Sequence, residues 1–125
     1  LDTIRRRWPA AEVVATCATG GRPDMALSVL GLLSGYADAP VWIEEDEVTA
    51  RILHQDETWT IENAEGKTFS IIAIAPNTEI SEHGLEWELD HSPLGLLADT
   101  GISNVVRKTA KIQVHQGVAI AYLYK

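Results

Sequence analysis

The chain has 125 residues, 46% of them hydrophobic, which is enough for one packed domain or for a small domain with part of another. Its formal net charge of -8 repels phosphate backbones and anionic lipid, so neither nucleic acid nor a membrane surface is expected as a partner. Cys17 is the single cysteine, which excludes an intramolecular disulfide and makes the cytoplasm, where thiols stay reduced, the expected compartment.

The first third of the chain has the pattern of an α/β sheet. Apolar side chains recur at helical spacing in two segments, and two short apolar runs are typical of strands that are buried on both faces. The order is helix, strand, glycine loop, helix and strand, at residues 1–8, 12–18, 19–23, 24–36 and 41–43. This alternation predicts that residues 1–46 are the end of an α/β domain with a parallel sheet.

After the acidic stretch at residues 44–47 the pattern changes to strands and turns. Strand-like runs occur at residues 48–54, 58–62, 68–75, 84–89, 110–115 and 118–124. Residues 63–66 and 116–117 have the composition of hairpin turns. Short strands with regular turns predict an all-β antiparallel sandwich over residues 47–125, with no helix longer than about two turns.

The loop between the first strand and the following helix is a candidate phosphate-binding site. Thr19, Gly20 and Gly21 lie where α/β proteins place ligands, and glycines let the backbone approach a phosphate. The Arg22 guanidinium suits phosphate oxygens, and Asp24 could orient a hydroxyl group or assist a metal. The same residues also fit a tight turn in which Asp24 caps the helix and Arg22 is solvated.

Trp87 lies in the segment GLEWEL at residues 84–89. Alternation in a strand would put Leu85, Trp87 and Leu89 on one face, so the indole could fill a sandwich core. An exposed indole could instead stack on a heteroaromatic ring and attract a cation. The pattern alone leaves both readings open.

The remaining polar candidates carry less information. Ser103 and Asn104 follow a glycine in a polar loop, where they could bond a ligand or stabilise a turn. The four histidines show no short metal-ligand spacing, so we expect solvated or locally bonded side chains. Cys17 lies in an apolar run and is expected to be a buried thiol.

Five segments in this order resemble the motifs of thiamine pyrophosphokinases. TGGRPD at residues 19–24 resembles the family's GGRxDH motif, and FSIIAI at residues 69–74 is similar to its SLIPL strand. GLEWEL at residues 84–89 resembles the GLKWPL segment, and ISN at residues 102–104 contains the family's SN pair. Residues 116–117 match its last turn. The resemblance covers essentially the whole chain.

The resemblance implies an α/β catalytic domain followed by a thiamine-binding β-sandwich. It also implies transfer of pyrophosphate from ATP, with Mg²⁺, to the hydroxyl group of thiamine. By the same resemblance, Arg22 and Asp24 belong to the catalytic cleft, with Thr19, Gly20 and Gly21 beside the phosphates.

In the same family, the thiamine pocket is built between two subunits of a homodimer. Trp87, Ser103 and Asn104 are the residues of this chain that match it. A cationic thiazolium suits an acidic protein with a tryptophan wall.

The chain departs from the family pattern at four positions. Met25 stands where the family has His or Gln, and Ala73 replaces the proline of the SLIPL strand. Glu86 and Glu88 occupy the basic and proline positions of the GLKWPL segment. The family's metal-binding aspartates lie in GDxDS and TD motifs upstream of residue 1, so no metal ligand is assigned here, and we expect these 125 residues alone to be inactive.

Three functions follow from these observations. The first is a thiamine pyrophosphokinase whose upstream part binds ATP and metal. The second is a non-catalytic β-domain that binds thiamine or dimerises. The third, left open by Met25 and Glu88, is a family member with another ligand.

Overall fold

The computed structural model describes residues 13–16, residue 35 and residues 41–125. In these ranges it contains nine β-strands and no helix. The strands are β1 (Val13–Thr16), β2 (Val41–Glu44), β3 (Val48–Leu53), β4 (Thr58–Ile61), β5 (Thr68–Ala73), β6 (Thr78–Leu85), β7 (Leu89–Leu94), β8 (Asn104–Gln116) and β9 (Ala119–Tyr124). Among the described residues there is accordingly no helix that is long and apolar enough to cross a bilayer.

The strands form two layers that share β8. The order of neighbours is β1-β2-β3-β9-β5-β8-β6-β7, and β4 pairs with β8 off this path. Asn104 and Val105, at the start of β8, pair with β5, whereas the rest of this 13-residue strand pairs with β6 and β4. Strand β1 is parallel to β2, and the other strand pairs are antiparallel.

The main hydrophobic core lies between the two layers. Both layers contribute buried side chains to it, including Phe69 and Ile71 of β5, Ile80 of β6, and Ile112 and Val114 of β8. Because side chains alternate along each strand, the layers face each other with one apolar side each. The arrangement is therefore the predicted antiparallel sandwich.

A second buried cluster lies on the opposite face of the β2-β3-β9 sheet. It contains Val41, Ile43, Ala50, Ile52 and Ile120. Strand β9 is consequently buried on both faces, since its small residues Ala119 and Ala121 enter the main core and Ile120 enters the second cluster. This explains the nearly continuous apolar run in the sequence of β9.

Much of the predicted strand pattern is confirmed. The expected strands at residues 48–54, 58–62, 68–75 and 118–124 correspond to β3, β4, β5 and β9. The run at residues 12–18 contains β1, and the run at residues 41–43 forms all but the last residue of β2; these two strands pair in parallel. Apart from Gly35, which lies in a turn, the two predicted helices and the loop between strand and helix lie outside the described residues.

Two predictions about local structure are wrong. Residues 84–89 are not one strand, because β6 ends at Leu85 and β7 begins at Leu89. Residues 63–66 and 116–117 do form turns, and Gly66 and Gly117 have positive φ, but neither turn joins two paired strands. Each turn carries the chain from one layer to the other. Turn composition alone therefore does not determine which strands pair.

Candidate ligand-binding site around Trp87 and Asn104

The turn between β6 and β7 presents Trp87 to solvent. Residues 86–88 lie outside both strands, and the Trp87 side chain is 42% exposed. Strand β6 reaches this turn through an irregular register between His83 and Leu85. Gly84, between them, has a φ of 85° and packs against the backbone of Thr109 and Ala110 on β8. The interpretation of Trp87 as a core residue is therefore wrong, because the strand ends before the indole could turn inward.

Asn104 attaches this turn to the start of β8. Its side-chain amide donates a hydrogen bond to the Trp87 carbonyl oxygen at 2.9 Å, and its Oδ1 accepts one from the Trp87 N–H at 3.3 Å. Oδ1 also accepts from the Val105 N–H at 2.9 Å. Asn104 is fully buried, so these bonds are shielded from water and fix the backbone of Trp87.

Ser103 lies at the surface next to this attachment. Its side chain is exposed, and its backbone has a φ of 60°, which is uncommon for a residue other than glycine. The Ser103 N–H donates to Ser70 Oγ of β5 at 2.9 Å, which holds the strained conformation. Ile102, at 40% exposure, adds an apolar side chain to the same loop. The sequence-predicted residues Trp87, Ser103 and Asn104 thus belong to one connected region.

A buried carboxyl group, Glu82, lies beneath this region. Its side chain has no exposed surface, and Asn104 Nδ2 lies 3.4 Å from Glu82 Oε1. The other oxygen, Oε2, has no hydrogen-bond partner among the described residues. Burial raises the pKa of Glu82 to about 7, partly offset by the hydrogen bond from Asn104. Sequence reasoning missed Glu82. It lies two residues after the core residue Ile80 in β6, and alternation places such residues on the same face of a strand.

The two glutamates that depart from the family pattern have local partners. Glu88 Oε2 accepts a hydrogen bond from the Gly84 N–H at 2.7 Å, which lowers the pKa of Glu88. Glu86 Oε1 lies 2.9 Å from a guanidinium nitrogen of Arg107 on β8. Both carboxylates therefore support the turn that carries Trp87.

Arg22 and Asp24 lie outside the described residues, as do Thr19, Gly20 and Gly21. Their assignment to the catalytic cleft therefore remains a prediction.

The geometry defines a class of protein. An indole face can stack on a ring, and the exposed indole of Trp87 lies on a turn whose backbone is fixed by Asn104. The class is an antiparallel β-sandwich domain with an exposed tryptophan on a fixed turn.

Family comparison makes this class specific. The model described as "Thiamin pyrophosphokinase, vitamin B1 binding domain" matches residues 54–119, more than half of the chain. The chain therefore belongs to the thiamin pyrophosphokinase family, through its vitamin B1 binding domain.

Individual relatives agree with this assignment. Thiamine pyrophosphokinases 1 and 2 of Arabidopsis thaliana are 26% and 24% identical to the chain over 111 residues, which is 86% of this chain and 42% of each relative. The chain thus spans less than half the length of these curated relatives.

Solved structures show the same fold at lower identity. The thiamine pyrophosphokinase of Bacillus subtilis has a TM-score of 0.80 and 16% identity, covering 99% of this chain and 60% of that one. The thiamin pyrophosphokinase of Candida albicans has a TM-score of 0.75 and 13% identity, covering 93% of this chain and 45% of that one.

Proposed function

We propose that this chain supplies the thiamine-binding part of a thiamine pyrophosphokinase. The observation that carries the proposal is the pair of hydrogen bonds between Asn104 and the Trp87 backbone, which fixes the turn that carries the exposed indole. In this proposal the thiamine ring stacks on Trp87, and the Ser103 hydroxyl bonds a polar substituent of the ligand. The positively charged thiazolium is attracted by the indole face and by the net charge of -8 of the chain.

The proposed reaction of the complete enzyme is transfer of pyrophosphate from ATP to the thiamine hydroxyl. Such a transfer needs a divalent metal to offset phosphate charge, and carboxylates normally hold Mg²⁺. Within the motif at residues 19–24, Asp24 is the sole carboxylate, and one carboxylate beside Arg22 is a poor Mg²⁺ site. The proposal therefore keeps Arg22 and Asp24 as catalytic residues near the phosphates and the thiamine hydroxyl, and gives metal binding to the aspartate motifs of the complete enzyme.

Further proposals rest on the family resemblance. They are a homodimer with thiamine between the subunits and a cytoplasmic location. An α/β remnant at residues 1–46 is supported by the parallel pairing of β1 with β2. The alternative to catalysis is a β-domain that binds thiamine or dimerises without transferring pyrophosphate.

Calorimetric titration with thiamine tests the binding proposal. Trp87→Ala and Ser103→Ala should each weaken binding at least tenfold. Tyr124→Ala is the matched control, because Tyr124 has a similar exposure of 44% and lies at the end of β9. Unchanged affinity in the Trp87 variant would show that this surface is not the pocket.

A product assay separates catalysis from binding. Chromatography of ATP, Mg²⁺ and thiamine mixtures should show no thiamine diphosphate with the 125 residues alone. Product should form when the upstream aspartate motifs are supplied, and Asp24→Asn or Arg22→Ala should then reduce it strongly. An extended protein that binds thiamine but forms no product would favour the non-catalytic alternative.

A further inference from the structure

Three neighbouring strands bring two histidines and a glutamate together. Glu79 lies on β6, His91 on β7 and His115 on β8, and each offers one ligand atom such that all three lie within 4.8 Å of one another. Strand β6 is central, since it pairs with both β7 and β8. The next residue, Ile80, is buried in the core, so Glu79 lies on the outer face of this layer.

The two imidazole rings are already arranged face to face. The centroids of His91 and His115 are 3.9 Å apart, with an interplanar angle of 14°. His91 Nδ1 lies 3.1 Å from Glu79 Oε1. Each nitrogen lone pair lies in its ring plane, so the two rings must rotate out of this stack to share one ion. The partial exposure of Glu79 and His91 leaves room for that rotation.

Ser81 contacts the backbone of His91 and the imidazole ring of His115. Its buried Oγ accepts a hydrogen bond from the His91 N–H at 2.9 Å and lies 2.6 Å from His115 Nε2. In the tautomer whose Nε2 carries the proton, His115 leaves the Nδ1 lone pair free. A second partner that fixes ring orientation and tautomer in this way is a common feature of metal-binding histidines.

The backbone of His91 is also unusual. Its φ of 46° is in the left-handed region, opposite a register irregularity in β6 between Ile80 and Glu82. Ile80, Val114 and Leu94 are core residues, so alternation already places Glu79, His115 and His91 on the outer face of this layer. The positive φ of His91 adds local strain there, and strain of this kind concentrates at functional sites.

We propose that Glu79, His91 and His115 bind a divalent transition metal ion of the zinc class. Two imidazoles and one carboxylate suit Zn²⁺, Co²⁺ or Ni²⁺, whereas Mg²⁺ prefers oxygen ligands. Three protein ligands leave one tetrahedral position for water. A bound ion links β7 to β6 and β8, and so stabilises the hairpin whose turn carries Trp87.

Titration of chelator-treated protein with Co²⁺ and Zn²⁺ tests this site independently of thiamine. We expect one ion per chain, visible absorption of four-coordinate Co²⁺, and a higher thermal unfolding midpoint with Zn²⁺. His91→Gln and His115→Gln should each weaken Zn²⁺ affinity at least tenfold. His83→Gln is the matched control, because His83 lies on β6 and faces Glu88 and Asp90 rather than the cluster.

Circular dichroism identifies any histidine variant that does not fold. In that case Glu79→Gln, a substitution on the outer face of the layer, is measured in its place. Zn²⁺ affinity in a folded double variant, H91Q with H115Q, equal to that of the wild type would overturn the proposal. A wild-type protein that binds neither Co²⁺ nor Zn²⁺ would overturn it equally. Mg²⁺ should leave the Co²⁺ absorption unchanged.

Discussion

Asn104 and Trp87 exchange two hydrogen bonds across 17 residues of sequence, from the Asn104 amide to the Trp87 carbonyl and from the Trp87 N–H to Asn104 Oδ1. A peptide group in a turn has no strand partner and must find one elsewhere when it is shielded from water. The buried amide of Asn104 provides that partner. The position of the turn that carries the exposed indole therefore depends on a residue of β8.

Asn104→Ala should destabilise the fold and weaken thiamine binding together. The substitution leaves the Trp87 carbonyl and the Val105 N–H without their partners, which should cost on the order of 2–3 kcal/mol in the free energy of unfolding. Urea denaturation and calorimetry check the two effects. Gln113→Ala, at a partly exposed position of the same strand, is the control. A stable Asn104 variant with full thiamine affinity would contradict the role given to this side chain.

Gly84→Ala should be far more destabilising than Gly66→Ala, although both glycines have nearly the same φ of 85° and 86°. At Gly66 a Cβ would meet nothing within 4 Å, so the cost is backbone strain of about 1–2 kcal/mol. At Gly84 the Cβ would overlap the Thr109 carbonyl oxygen and lie 2.8 Å from Ala110 Cα. Urea denaturation of both variants measures the difference, and equal losses would contradict the close approach of β6 to β8.

Glu82→Gln should remove a pH dependence of stability. The pKa of Glu82 is raised to about 7 in the folded chain by burial, from an ordinary value of 4.5. The folded state therefore keeps the proton that the unfolded state releases between these two values. The contribution of Glu82 to stability is thus fully present below pH 4.5 and is lost as the pH rises through about 7.

The glutamine variant mimics the protonated carboxyl group. Its advantage over wild type in the free energy of unfolding should grow between pH 5 and pH 8, by on the order of 3 kcal/mol at most. Denaturation curves at several pH values measure this difference. The exposed Glu62→Gln variant is the control for loss of one carboxylate. A constant difference between wild type and Glu82→Gln across this range would show that Glu82 is not shielded from water.

The sequence predicted the strands whose apolar residues alternate or run continuously. Strands β3, β4, β5 and β9 were recognisable in this way because each carries core residues in a regular phase. The hairpin of β6 and β7 was missed. Its strands contain polar residues, a proline and three irregularities of register, and these break the alternation on which prediction relies.

The candidate site was predictable only in part. Trp87, Ser103 and Asn104 were recognised through resemblance to family motifs, and no local pattern joins Trp87 to Asn104. Glu82 was missed because its burial depends on the packing of β6 against β8. The pairing of His91 with His115 was invisible for the same reason, since the residues lie on strands that are brought together by β6.

The central claim is that thiamine stacks on Trp87. Tryptophan fluorescence during a thiamine titration tests it most directly, with the wild type and a Trp87→Phe variant compared at equal concentration. We expect a saturable change in wild-type emission and none from the variant, whose remaining tryptophans include the buried Trp59. A change of the same size in both proteins would show that thiamine binds elsewhere.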